Sequence, residues 1–308
     1  MERILITGGC GFVGCNLIPR LLDSGRYQVR VIDNLSLGQR EWIDEFDVEF
    51  IEGDIREVQA VDAALEDVDA VVHLAADTRV MDSIENPEKN FDYNVAGSFN
   101  LLQRMRVNGV RRVVNASTGG AIMGEVDPPV HEEMTPRPTA PYGASKLAVE
   151  GYVSAFSGAY GFDGVSLRFS NVYGPRSFHK GSVVATFIRQ IIKGETLTIY
   201  GDGSQTRDYI FSEDLADGIL RAIDSRVSGV YQLGTGVGTS LNDLVTALRN
   251  VTGRDVNVRH EDFRDGELRH TWCDVSKAKQ AFQFNPSTRL EQGLGQTWDW
   301  FEKRLSRA

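Results

Sequence analysis

The chain has 308 residues, 41% hydrophobic and 25% charged, with a formal net charge of −10. That length suits one large or two smaller domains with true hydrophobic cores, and no apolar run approaches the length of a membrane span. The acidic balance argues against non-specific nucleic-acid binding, and an anionic ligand would need a local basic pocket.

MERILITGG runs directly into a strand, without the basic start or small-residue cleavage site of a signal peptide. Cys10, Cys15 and Cys273 have neither disulfide-framework nor metal-ligand spacing, which fits a reducing compartment. A cytoplasmic protein is expected. The first strand, 3–7, opens into TGGCGFVG, which places Gly8, Gly11 and Gly14 at GxxGxxG spacing, with Phe12 and Val13 starting a helix. Such glycines let the backbone turn tightly and approach a diphosphate, which then rests on a helix N-terminus. A second strand, 28–33, ends in Asp33 and Asn34, with Asp33 19 residues after Gly14. A carboxylate there accepts from the ribose hydroxyls of an adenosine, which favours NAD over its 2′-phosphorylated relative. Arg40 is near enough in sequence to leave the phosphorylated form open.

Strands at 48–54 and 70–76 follow, putting Asp54 and Ile55 near the adenine and Leu74, Ala75 and Ala76 beside the nicotinamide half. A helical stretch at 86–108 leads to strand 111–117, whose end offers Ser117 and Thr118 as candidate proton-relaying hydroxyls. Both remain open. PYGASKLAVEG then places Tyr142 and Lys146 one turn apart at the start of a helix running over 142–160. A tyrosine working as a base near neutrality needs its pKa lowered by roughly 3 units, about 4 kcal/mol. An adjacent ammonium and a positive nicotinamide ring would together supply this. Lysine would also hold the nicotinamide ribose.

Strand 164–170 completes an alternation that builds a parallel sheet covered on both faces. Beyond Asn171 the texture changes to Gly- and Pro-containing loops, short strands and helices within 182–194 and 241–253, while TRDYIFSEDLADGILRAI reads as a return to the first domain. The expected fold is α/β: a Rossmann-type doubly wound parallel sheet (1–171 plus 206–235) with a smaller α/β substrate domain (172–205 plus 236–308). The five histidines are scattered without ligand spacing, so no metal is expected.

TGGCGFVG, Asp33, HLAA at 73–76, Asn94, NASTGG, YGASK and LRFSNVYGPR together resemble the extended short-chain dehydrogenase/reductase family that acts on nucleotide sugars, and within it the UDP-hexose 4-epimerases. The resemblance spans essentially the whole chain. It implies a retained NAD with no net oxidation, Asn94 near the cofactor, and a homodimer formed through the 86–108 and 142–160 helices. It further implies that Asn171, Arg207 and Arg264 contact the substrate diphosphate or sugar and that Glu267 contacts the uridine ribose. Guanidinium forks suit phosphate oxygens, and a carboxylate suits a diol.

Gly119 and Gly120 stand where the family's dehydratases carry acids, which lowers the weight of dehydration. A reductase or dehydratase acting on another nucleotide sugar is the alternative, and a cofactor-binding regulator is the non-enzymatic one. Thr271 falls where some UDP-galactose 4-epimerases have a bulky tyrosine, which leans towards N-acetylated UDP-hexoses, although a threonine merely packed in a strand fits the pattern equally. Met123 departs from a common tyrosine, and His179 and Lys180 are expected near the sugar or in solvent.

Overall fold

The computed structural model describes residues 1–263 and 269–305. Seven strands form one parallel sheet: β1 (Glu2–Thr7), β2 (Tyr27–Asp33), β3 (Glu49–Glu52), β4 (Ala70–His73), β5 (Arg112–Thr118), β6 (Asp163–Phe169) and β11 (Gly229–Leu233). Their spatial order is β3-β2-β1-β4-β5-β6-β11. The order reverses between β1 and β4, and at such a switch point the loops leaving the strand ends diverge to open a crevice.

Alternation along the strands decides the layers. Ile4 and Ile6 of β1 face a cluster with α1 (Phe12–Asp23), α9 (Ser212–Ser225) and α11 (Ser276–Phe282), where Leu17, Ile219 and Phe282 are buried. Leu5 points to the opposite face, covered by α2 (Val58–Leu65), α5 (Gly97–Val107) and α7 (Pro141–Tyr160). Near-continuous apolar strands are what a sheet buried on both faces requires.

Helix formation at 86–108 is interrupted. After α3 (Val80–Glu85) comes α4 (Pro87–Phe91), capped by Asn86 accepting from the Lys89 N–H, and then a π-helical turn at Asp92–Ala96 before α5. The fourth strand is also shorter than its sequence pattern predicts. It ends at His73, and Leu74 to Ala76 leave the sheet, with the Leu74 N–H donating to the Thr7 carbonyl at 3.1 Å.

A second cluster gathers α8 (Val183–Lys193), α10 (Leu241–Thr252) and α12 (Leu290–Leu305) around Ile188, Leu244, Trp298 and Phe301. Its small strands are β7 (Asn171–Tyr173) beside β10 (Tyr209–Phe211), β8 (Leu197–Tyr200) beside β13 (Val258–Glu261), and β12 (Thr239–Ser240), β9 (Thr206–Arg207) and β14 (His270–Thr271) in one sheet. β10 serves both clusters, since Ile210 packs in the first and Tyr209 and Phe211 in the second. The short α6 (Gly120–Met123) follows β5 and buries Ile122 and Met123 in a small cluster with Val130.

Candidate active site

A cleft of about 700 Å³ lies over the strand ends at the switch point, lined by the glycine turn, the ends of β2 to β5, the start of α7 and the loop between β7 and α8. Its floor is set by backbone proximity. Gly8 has φ +70°, and a Cβ there would lie 2.7 Å from the Ala75 nitrogen; one on Gly14 would lie 2.5 Å from the Gly9 carbonyl oxygen. Only glycine fits either position. Gly11 caps α1 without a side chain, so the first-turn N–H groups remain directed at the cleft beside Phe12 and Val13. This cradle fits a dinucleotide diphosphate.

Asp33 lines the same cleft. Its Oδ2 accepts from the Cys10 N–H at 2.9 Å and its Oδ1 from the Leu35 N–H at 2.8 Å; burial raises the pKa of the carboxyl, and these two hydrogen bonds work against that rise. Both oxygens keep lone pairs for ribose hydroxyls. Asp54 accepts from Asn34 at 2.8 Å and pairs with Arg56, whose hydrogen bonds hold the carboxyl down to about 2. Ile55 also lines the cleft. Arg40 pairs with Asp44 at 2.9 Å and lies over the Phe50 ring, outside the cleft lining, so it offers nothing to a 2′-phosphate.

Tyr142, Lys146 and Ser117 come together in the cleft lining with Leu74, Ala75 and Ala76. Pro141 starts α7 with its φ preset for the first turn, and the Tyr142 N–H donates to Ser83 Oγ at 3.1 Å, so the tyrosine is fixed at its root. Lys146 Nζ donates to the Ala116 carbonyl at 3.0 Å. Burial lowers its pKa to about 8, partly offset by Glu150, while burial and then the Asp77 charge push the Tyr142 phenol up to about 12. Without a further positive charge beside it, the phenol holds its proton. Ser117 Oγ is buried with no hydrogen-bond partner, as expected of a hydroxyl reserved for a ligand.

Other sequence-predicted residues lie elsewhere. Thr118 is half-buried and outside the lining. Asn94 is fully enclosed: its Oδ1 accepts from the Asp77 N–H at 2.7 Å and its Nδ2 donates to the Asp77 carbonyl and Ser145 Oγ, so it braces the cleft wall from behind. Asn171, Arg207 and Thr271 are outside the lining too; Arg207 and Thr271 are register partners on β9 and β14, and Arg207 donates to the Thr206 carbonyl at 2.8 Å. Arg264 and Glu267 lie outside the described residues. His179 is exposed, as the solvent alternative expects, and stacks on Trp42, while Lys180 lies against Phe12; both line the cleft.

Sequence reasoning missed Trp42 and the wall from Asp77 to Asp82. The signal for the wall was its position after a central strand, where α/β crevices are built.

A family model described as the NAD dependent epimerase/dehydratase family matches residues 4–234. A UDP-glucose 4-epimerase of Mycolicibacterium smegmatis is 34% identical over 98% of this chain and 99% of its own. The chain belongs to the NAD dependent epimerase/dehydratase family. Two solved structures extend the likeness to the whole fold. One is the Thermus thermophilus UDP-glucose 4-epimerase complexed with NAD: TM-score 0.92, 37% identity, 98% of this chain and 99% of that one. The other is the Methanobrevibacter ruminantium UDP-N-acetylglucosamine 4-epimerase in complex with UDP-N-acetylmuramic acid: TM-score 0.93, 31% identity, 98% and 99% covered. NAD is the cofactor of this enzyme, as the family and the cradle together require.

Proposed function

We propose that the enzyme inverts carbon 4 of UDP-linked hexoses through a transient 4-keto sugar. The observation that carries this reading is the convergence of Tyr142, Lys146 and the unpartnered Ser117 on the glycine-cradled cleft. NAD, when bound, supplies the acceptor and donor of the hydride. Tyr142 Oη takes the proton of the 4-hydroxyl, Ser117 Oγ shares it, and the Lys146 ammonium lowers the cost of the phenolate. No carboxylate follows Thr118 on the strand, because Gly119 and Gly120 have no side chains, so the acid that dehydration would need at that point is missing.

The lean towards N-acetylated sugars rests on the resemblance that sets Thr271 where related enzymes have a tyrosine, and Thr271 is the register partner of Arg207. Both the UDP-glucose/UDP-galactose and the UDP-N-acetylglucosamine/UDP-N-acetylgalactosamine pairs are expected to interconvert, the acetamido pair with the higher kcat/KM. Incubation with each UDP-sugar and chromatographic separation of products tests this. Thr271→Tyr is expected to suppress the acetamido reaction selectively. Stoichiometric conversion of NAD to NADH would instead establish a dehydrogenase and overturn the proposal.

The division into a cofactor domain and a smaller substrate domain is supported by the two hydrophobic clusters, except that α11 and Phe284, expected in the substrate domain, pack in the first cluster against α9 and β11. Three free, buried cysteines support a cytoplasmic setting, and among the described residues no helix is long and apolar enough to cross a membrane. A homodimer through the 86–108 and 142–160 helices is supported by Phe91, Phe99 and Tyr152, large side chains left exposed on them.

A further inference from the structure

The cleft is lined by several cationic side chains, and most have a partner. Arg79 pairs with Asp82 at 3.3 Å, Lys89 with Asp77 at 3.4 Å and Arg176 with Glu45 at 2.5 Å, while Lys146 is engaged by the Ala116 carbonyl. Lys180 differs from these. Among the described residues its ammonium has no carboxylate partner, and it lies 4.5 Å from the ring centroid of Phe12, the first residue of α1.

Its position is held by the backbone. The Lys180 N–H donates to the Ser177 carbonyl at 2.9 Å, and the Lys180 carbonyl accepts from Arg189 of α8 at 2.9 Å. Next to it, the His179 ring stacks on Trp42 with centroids 5.9 Å apart and planes 16° from parallel. The loop is thereby pinned to both clusters. Burial without a counter-charge lowers the Lys180 pKa to about 8, which is the mark of an ammonium lacking its anion.

We propose that Lys180 binds the diphosphate of NAD, so that the loop between β7 and α8 completes from the second lobe an anion site that the glycine turn opens from the first. The turn offers N–H groups and a helix dipole but no full positive charge. An ammonium brought to the same helix end supplies one, and a charge-assisted bond in a partly enclosed site is among the stronger polar contacts. Lys180 is therefore a positioning and retention residue for the cofactor, distinct from the groups that move the proton.

The test uses the full chain as wild type, Lys180→Gln and Lys180→Arg, stripped of nucleotide and titrated with NAD in the absence of sugar. Because no sugar is present, the outcome is independent of the substrate reading. Lys180→Gln is expected to bind NAD at least about tenfold more weakly and to lose much of the salt dependence of binding, with Lys180→Arg restoring both. The thermal midpoint of the stripped proteins, measured in parallel, is expected to match. If Lys180→Gln binds NAD as tightly as the wild type, or raises only the KM for the UDP-sugar, the assignment is overturned.

Discussion

Ser117 and Thr118 are consecutive on β5, and a strand turns consecutive side chains to opposite faces. The register pairs Ser117 with Arg168, whose guanidinium is bound by Glu150 of α7, so Ser117 lies on the face that α7 covers and Tyr142 occupies. Thr118 belongs to the other parity. Ser117→Ala is therefore expected to lower kcat by about 10²-fold, and Tyr142→Phe by at least as much, while Thr118→Ala stays within a few-fold of wild type. Steady-state epimerisation assays on the three variants, each checked for retained NAD, test this assignment. Tyr142, Lys146, Asp33 and the three glycines were legible in the sequence because their spacing sits within one strand, turn or helix. The choice between Ser117 and Thr118 was not, since it depends on which face of the sheet a helix remote in sequence covers. Trp42 was illegible for a related reason: it meets His179 only through the tertiary approach of two loops 137 residues apart.

At the scale of elements, the π-helical turn at Asp92–Ala96 organises a buried polar chain. Ser98 Oγ donates its one proton to the Asn94 carbonyl, so it accepts from His73 Nε2 at 2.7 Å, which leaves His73 Nδ1 to accept from Thr7 Oγ1 at 2.7 Å. The imidazole is thereby held neutral in one tautomer. Burial, with the Lys146 charge behind it, lowers the His73 pKa to about 3, whereas an unfolded histidine titrates near 6.5. Between those values the unfolded chain binds a proton that the folded one refuses. The stability associated with neutral His73 is thus complete above about pH 6.5 and is lost progressively as pH falls towards 3, on the order of a few kcal/mol. Thermal midpoints between pH 7 and about 4 are expected to drop more steeply for the wild type than for His73→Gln. An apolar periodicity detects a helix over 86–108 but not the extra residue in one turn, because the inserted turn is stabilised by Asp77 and Ser145, partners outside the segment.

At the scale of the molecule, an apolar surface runs along the helices that cover the Leu5 face of the sheet. Phe91 is 61%, Phe99 41% and Tyr152 38% exposed, and the last two rings meet edge to face at 5.2 Å. Large aromatic side chains paired on the surface of a monomer point to a covering partner. Light scattering is expected to give twice the 34.1 kDa chain mass for the wild type, and a single chain mass for Phe99→Glu/Tyr152→Glu with unchanged helical content. A wild-type monomer would refute this. Fold class was readable from alternation alone, but the surface that remains open after folding was not, because helical periodicity does not separate core-facing from solvent-facing aromatics.

The large sheet is completed late. β11 joins β6 in parallel, Gly229 against Val165, only after the intervening chain has built β7, β8, β9, β10, α8 and α9. While the polypeptide is being synthesised, β6 therefore has an open border of unpaired N–H and carbonyl groups until some sixty further residues have emerged. A chain ending before residue 229 would leave this edge of β6 unpaired, and such a truncation is expected to associate through it.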